Sequence, residues 1–420
     1  MSGVRGESEQ DAVRPDDGLD ASDSQTKEGQ PPRSDAPPHP EKTAQALYSP
    51  QRFLPKDFAI SLKAKGGSDV LLANDQGPRR QPMAGFDDAY VDIIDYIVRI
   101  THRIWEQKDI GYIYDTYRHN ARVTDDSGLQ YGRDKIVADT VHTINAFPDI
   151  RLYADEIVWA GDDKSGYHTS HRTVIVGHNT GYSRWGAPTG RKVVVWCIAD
   201  CASISNEIYE EWVLYNNSSL LAQLGFDLRA LAREVGNQRD WSALADRAVG
   251  EIERLAGQGK PAHLAPTAEG ASFDPEDFVK RLGHYAWNWR NLSTIDSHYA
   301  PGVRWHGPTG RELYGRGDLK SFLLSMLAMF PDLAYQLDDF YCMGNEQEGY
   351  LTSARWSMQG THRGHGVYGP PTGRRVLIWG ISQHRIVGQQ IVEEWTVFNE
   401  FEVMQQLYRD QPVLDGQVTA

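Results

Sequence analysis

One short string of residues could do acid/base chemistry, and the chain carries it twice. Glu210-Glu211-Trp212 and Glu393-Glu394-Trp395 stand in strand-like runs, and Arg172 and Arg355 recur at equivalent places on a neighbouring run. A glutamate buried beside Trp and Tyr has its carboxyl pKa pushed up, and such a group can take a proton from carbon next to a carbonyl and return it. A second reading stays open, in which Glu211 and Glu394 are ion-paired with Arg172 and Arg355 as part of the architecture. Neighbouring strand residues point to opposite sides, so Glu210 and Glu393 face the other way, towards a sheet-to-sheet contact. Other chemistries find no carrier. No Walker loop, no dinucleotide-binding Gly-x-Gly-x-x-Gly and no His-Glu-x-x-His pattern occurs. His168 and His171 lie on opposite faces of one strand and do not make a metal pair.

The pairing of these strings is part of a longer repeat. At a constant offset of 183 residues, Tyr131-Gly132-Arg133 recurs as Tyr314-Gly315-Arg316, Phe147-Pro148-Asp149 as Phe330-Pro331-Asp332, and Pro188-Thr189-Gly190-Arg191 as Pro371-Thr372-Gly373-Arg374. A repeat of that length is a whole domain, so the chain reads as a tandem duplication.

The 420 residues, 40% of them apolar, suffice for two globular domains with tails. A formal net charge of -14 and a pI near 5.5 argue against a nucleic-acid surface, which needs a basic stripe. Cys197, Cys201 and Cys342 have neither zinc-ligand spacing nor a disulfide framework, which suits a reducing compartment. With no apolar run of signal-peptide length and none near the ~20 residues of a membrane span, a cytoplasmic protein with no membrane partner is expected.

The elements that must position the glutamates follow from periodicity. Residues 1–83 read as an acidic, disordered segment, with apolar clusters from Leu47 to Leu72 that could lie along a domain as an arm. Domain 1 spans 84–226, a helical linker 227–273, domain 2 274–410 and a tail 411–420. Ile93, Ile97, Ile100 and Ile104 predict an opening helix, repeated by Phe278, Leu282, Tyr285 and Trp289 after the cap Asp274-Pro275. A second helix in each half ends at Phe-Pro-Asp, and strand-like runs follow from Ile150 to Trp159, Tyr167 to Gly177, Lys192 to Ile204 and Glu207 to Tyr215. Helices first and antiparallel strands afterwards predict an α+β fold.

In this order the motifs resemble the SnoaL-like polyketide cyclase family, within the nuclear-transport-factor-2-like superfamily. The residues that carry the resemblance are Trp105-Glu106-Gln107-Lys108-Asp109, the three repeated motifs above, Leu221-Ala222-Gln223-Leu224-Gly225, Tyr299 to Pro308, and Gly360-Thr361-His362. The resemblance implies two cone-shaped, cystatin-like α+β barrel domains in tandem, each a curved antiparallel sheet wrapped around helices over an apolar pocket. Family members usually dimerise by pairing sheets, so the chain resembles an intrachain pseudo-dimer, with further homo-oligomerisation left open.

The resemblance also implies chemistry without metal or organic cofactor, by a pocket Asp or His acting on a cyclic, enolisable small molecule. The family's aspartate falls at Val213 and Thr396, neither of which transfers a proton in that role. Two residues earlier on the same strand, Glu211 and Glu394 should face the same pocket. His306 and His362 match family positions that are Thr124 and Asn179 in the first half, and are candidate donors or bases. Tyr285, Trp287, Trp289 and Trp105 are candidates to line the cavity, with Tyr285 expected to face inward and bind a carbonyl oxygen. Thr396, Arg355 and Arg172 complete the expected substrate contacts. The second half, richer in polar candidates, is the expected working site. An isomerase, cyclase, lyase or hydratase is expected, with a non-catalytic binding or scaffold protein and a cofactor-independent hydroxylase as alternatives.

Overall fold

The computed structural model describes residues 58–241 and 260–410. The expectations for the leader up to residue 57, for the helical pattern from Leu244 to Leu255 and for the tail 411–420 lie outside the described residues.

Each half builds the same six-stranded sheet. In the first, β1 (Tyr117–Asp125), β2 (Gly128–Tyr131), β3 (Arg151–Asp162), β4 (Gly166–His178), β5 (Lys192–Ile204) and β6 (Glu207–Leu214) are ordered β2-β1-β6-β5-β4-β3. In the second, β7 (Tyr299–His306), β8 (Glu312–Tyr314), β9 (Ala334–Asn345), β10 (Gly349–Thr361), β11 (Arg375–Val387) and β12 (Gln390–Phe398) are ordered β8-β7-β12-β11-β10-β9. The expectation of purely antiparallel sheets is corrected, because β1 pairs parallel with β6 and β7 with β12. The helices Arg133–Ala146 and Gly315–Met329 carry the chain to the far edge of the sheet, so the last strand of each meander returns beside the first and runs in its direction. At the first hairpin of each meander Gly161 and Gly344 have φ of +104° and +107°, and a Cβ there would lie 2.1 or 2.2 Å from a carbonyl oxygen across the turn.

The helices start where the sequence caps them. Asp92 accepts from the Asp95 amide to open Ile93–Trp105, and Asp274 accepts from the Glu276 and Asp277 amides to open Pro275–Gly283. The second of these helices runs on into a π-turn, His284–Asn288, that periodicity did not signal.

β6 and β12 each carry one extra residue near their start, a β-bulge that adds twist. The two sheets face each other through Ile198, Leu214, Trp379, Ile381 and Val397. Trp196 meets Trp395 edge to face at 5.1 Å and Trp212 meets Trp379 at 5.7 Å. The segment 58–83, read as disordered with an arm, is packed: Leu62, Leu71 and Met83 join the first domain's core together with Tyr341 and Met343 of the second. Lys65 makes a 2.7 Å ion pair with Asp92, both side chains buried, and the Trp159 indole donates to the Ile60 carbonyl at 2.9 Å. Within the linker, Leu228–Gln238 packs on the closing helix Glu400–Tyr408, and Arg239 pairs with Glu402 at 2.6 Å. Among the described residues no helix is long and apolar enough to cross a membrane.

Candidate active site

The second domain holds a cavity of about 80 Å³ between its helices and the concave face of its sheet. Val279, Leu282, Ala286 and Trp287 form one wall, Leu319, Phe322 and Met326 of Gly315–Met329 another, and Trp305, Tyr335, Trp356, Ile378 and Phe398 the sheet side. At roughly 10–15 Å³ per water on the scale of space for water centres, it holds about five to eight waters, the bulk of one or two fused rings.

Polar groups gather at one end. The bulge at Val392 shifts β12 by one residue, so that Glu394 sits opposite His384 on β11, His384 opposite Thr352 on β10, and Trp305 on β7 beside Glu394. One row across four strands therefore reads Trp305, Glu394, His384, Thr352. Glu394 Oε1 accepts from Trp305 Nε1 at 2.9 Å and from Thr396 Oγ1 at 2.5 Å, while Oε2 accepts from the Tyr299 hydroxyl at 2.6 Å. His384 Nε2 stands 3.8 Å from Oε2, and its Nδ1 lies 2.8 Å from Thr352 Oγ1. Ser382 and Thr396 share a 2.6 Å hydrogen bond, and the Trp356 indole donates to Ser382 at 2.9 Å. A carboxylate offers about four lone-pair positions, so three donors leave one open, on Oε2, on the side of His384. Burial lowers the His384 pKa against the pull of Glu394, so the ring is neutral near pH 7. Burial and the neighbouring carboxylate hold the Tyr299 hydroxyl well above its ordinary value, so it keeps the proton it donates.

Of the residues picked from sequence, Glu394, Thr396 and Trp287 line this cavity. Tyr285 does not: the π-turn moves the face that follows Leu282 to Ala286 and Trp287, and the Tyr285 hydroxyl accepts from the Leu264 amide at 3.1 Å instead. Trp289 stacks under His263 at 3.9 Å, also away from the cavity. His306 lies on the other side of its strand, stacked on Trp395 at 3.8 Å and 2.5 Å from Glu312. His362 bonds with Thr372 inside the β10–β11 connection, as its counterpart Asn179 does with Thr189 in the first half, which makes it a loop staple.

Arg172 and Arg355 do not pair with Glu211 or Glu394. Arg172 lies 4.3 Å over Trp395 and donates to Asp155 and Gln383, whereas Arg355 lies 4.0 Å over Trp212 and 3.6 Å from Asp339. Both belong to the sheet-to-sheet interface, as do Glu210, paired with Arg122, and Glu393, paired with Arg304. Trp105 packs partly buried against the first domain's core.

In the first domain Glu211 repeats the Glu394 contact, accepting from the Tyr117 hydroxyl at 2.9 Å. Burial pushes its carboxyl up to about 7, against the lowering effect of that hydrogen bond. Of the rest of the polar end only the β4 threonine, Thr169, remains. The same strand registers put Val213, Ala199 and Cys201 where the second domain has Thr396, Ser382 and His384.

Tyr299, Ser382 and His384 escaped the sequence reading. A hairpin counted from the turn at Gly388-Gln389 sets His384 against Glu393, and only the bulge moves it to Glu394. Among the described residues no group of three or more His, Cys, Asp or Glu side chains is arranged to hold a metal ion.

The SnoaL-like polyketide cyclase pattern matches residues 279–407. No curated protein is significantly similar to the chain. Solved structures similar to it include a SnoaL-like protein from Jannaschia sp. CCS1, provisionally described as a polyketide cyclase, at 17% identity, 34% of this chain, 100% of that chain and TM-score 0.30. IdmH from Streptomyces antibioticus, also provisionally a polyketide cyclase, is 26% identical over 32% of this chain and 99% of that chain, TM-score 0.28. AclR from Streptomyces galilaeus, provisionally a hydroxylase, is 26% identical over 31% of this chain and 93% of that chain, TM-score 0.27. Residues 279–407 are a SnoaL-like polyketide cyclase domain, and the first half, with the same strand order, makes the chain a tandem duplication of that fold.

Proposed function

We propose that the chain is an acid/base enzyme of the isomerase, cyclase, lyase or hydratase type, working in the second-domain cavity on a small, largely apolar cyclic ketone. Glu394 Oε2 takes the proton from the carbon next to the carbonyl, and the C–H electron pair moves through that carbon to leave an enolate oxygen. When Thr352 donates to Nδ1, the neutral His384 ring carries its proton on Nε2 and donates it as a hydrogen bond to that oxygen. Glu394 then returns the proton to the product. Trp305, Thr396 and Tyr299 hold the carboxylate in place, and the apolar walls keep water from the enolate. The observation that carries the reading is a buried carboxylate with one open lone pair beside a neutral imidazole, at the polar end of an otherwise apolar cavity.

The test is exchange of the α-protons of 2-tetralone in D2O, followed by NMR. The wild type accelerates exchange, Glu394→Gln loses about 100-fold or more, and His384→Phe loses about tenfold or more with the probe still bound. Full exchange activity in Glu394→Gln, or a wild type no faster than buffer, refutes it.

The family resemblance favours a second reading, a binding protein without turnover: it implies that the cyclase aspartate falls at Thr396, which cannot carry a proton in that role. Mass spectrometry of small molecules that co-purify with wild type and with Glu394→Gln separates the two. A compound held unchanged by both supports binding alone.

A further inference from the structure

We propose that Tyr335 and Trp287 form a second hydrogen-bonding pole of the second-domain cavity, which takes a ligand oxygen remote from the one held at Glu394 and His384. This rests on that cavity being the ligand site, and not on Glu394 moving a proton.

The argument starts from the use of each polar atom. Tyr299, Trp305 and Thr396 donate to Glu394, and Trp356 donates to Ser382, which bonds in turn with Thr396. Among the described residues the Tyr335 hydroxyl and Trp287 Nε1 have no hydrogen-bond partner in the protein, neither is one of the fully buried unpaired atoms, and both side chains line the cavity. A donor on the cavity wall with no protein partner and an accessible face is open to a polar ligand atom, and these are two such donors in one lining.

The fold also holds this pair in place. The Tyr335 amide donates to Asn288 Oδ1 at 2.6 Å and Asn288 Nδ2 donates to the Tyr335 carbonyl at 3.0 Å, which ties the start of β9 to the π-turn that carries Trp287. A Cβ on Gly283 would lie 2.2 Å from Tyr335 Cε1, so the glycine lets the ring pass directly under the helix. Burial keeps the hydroxyl protonated, its pKa far above the ordinary tyrosine value. Tyr335 pairs with Met358 on β10 while His384 pairs with Thr352, so the backbones of the two poles stand about 20 Å apart along one strand, and the side chains of both line the same cavity.

These poles define a ligand class. No lysine or arginine lines the cavity, so an anion finds no counter-charge there. The ligand is a neutral molecule of one or two fused rings with an oxygen at each end.

Isothermal titration calorimetry with 2-tetralone and 6-hydroxy-2-tetralone tests this. In the wild type the hydroxylated probe binds about three- to tenfold tighter, the worth of one neutral hydrogen bond. In Tyr335→Phe, which keeps the ring, the ratio of the two affinities falls to about one. In Glu394→Gln the preference persists, because the far pole is intact. Equal affinities in the wild type, a preference that survives Tyr335→Phe, or binding of neither probe overturns the proposal. A Glu394→Gln variant that still exchanges protons defeats the catalytic reading alone.

Discussion

Replacing Glu211 by glutamine isolates the cost of burying one carboxyl in the first domain. Its folded pKa is raised from 4.5 to about 7 by burial. Below pH 4.5 both folded and unfolded chains hold the proton, so the group leaves stability unchanged. Between about pH 4.5 and 7 the unfolded chain gives it up first, and stability falls as pH rises. Above pH 7 both forms are ionised and the full penalty is present, about 3 kcal/mol for a carboxyl raised from 4.5 to about 7. Glutamine keeps an acceptor for the Tyr117 hydroxyl and has no proton to lose. Glu211→Gln should therefore gain about 0.8 kcal/mol over the wild type at pH 5 and about 3 kcal/mol at pH 8. Urea denaturation at the two pH values, followed by tryptophan fluorescence and far-UV circular dichroism, measures the difference. Asp126 and Asp200 are also raised to about 7 by burial and slope the same way, but they are common to both proteins and cancel. An identical gain at pH 5 and pH 8 would show that Glu211 is not held protonated in the folded chain.

Two further predictions follow from packing. Lys65→Met leaves Asp92 buried without its cation and should destabilise by about 3–5 kcal/mol, with residues 58–83 becoming open to limited proteolysis; an unchanged cleavage pattern would show that the ion pair does not hold the arm. Trp395→Ala removes the contacts to Trp196, Arg172 and His306 together and should cost about 3–5 kcal/mol in thermal unfolding.

What the sequence made legible was whatever depends on near neighbours. Asp274-Pro275 starts its helix and Phe147-Pro148 and Phe330-Pro331 end theirs, because capping and proline geometry are local. The two-residue alternation along β12 placed Glu394 and Thr396 on one side for the same reason. Three features were not legible, and each depends on packing between elements. The bulge at Val392 decides which β11 residue meets Glu394, so His384 was missed although its chemistry is plain. The π-turn adds one residue to a helical turn, so the face expected to show Tyr285 shows Trp287. His306 and the two arginines were assigned to the pocket because the sequence does not reveal that Trp212 and Trp395 would draw them to the opposite face.

The tandem arrangement bears on how the halves recognise each other. At matching places on the facing strands stand Asp200 and Gln383: the aspartate accepts from Tyr341, and the glutamine bridges Arg172 and Ser170. In an assembly of two separate identical subunits any such substitution would arrive twice, placing either two aspartates or two glutamines across the axis. Joining the copies in one chain removed that constraint. Each half meets the other with a different residue at this place, and the connection between them also fixes the stoichiometry at one to one.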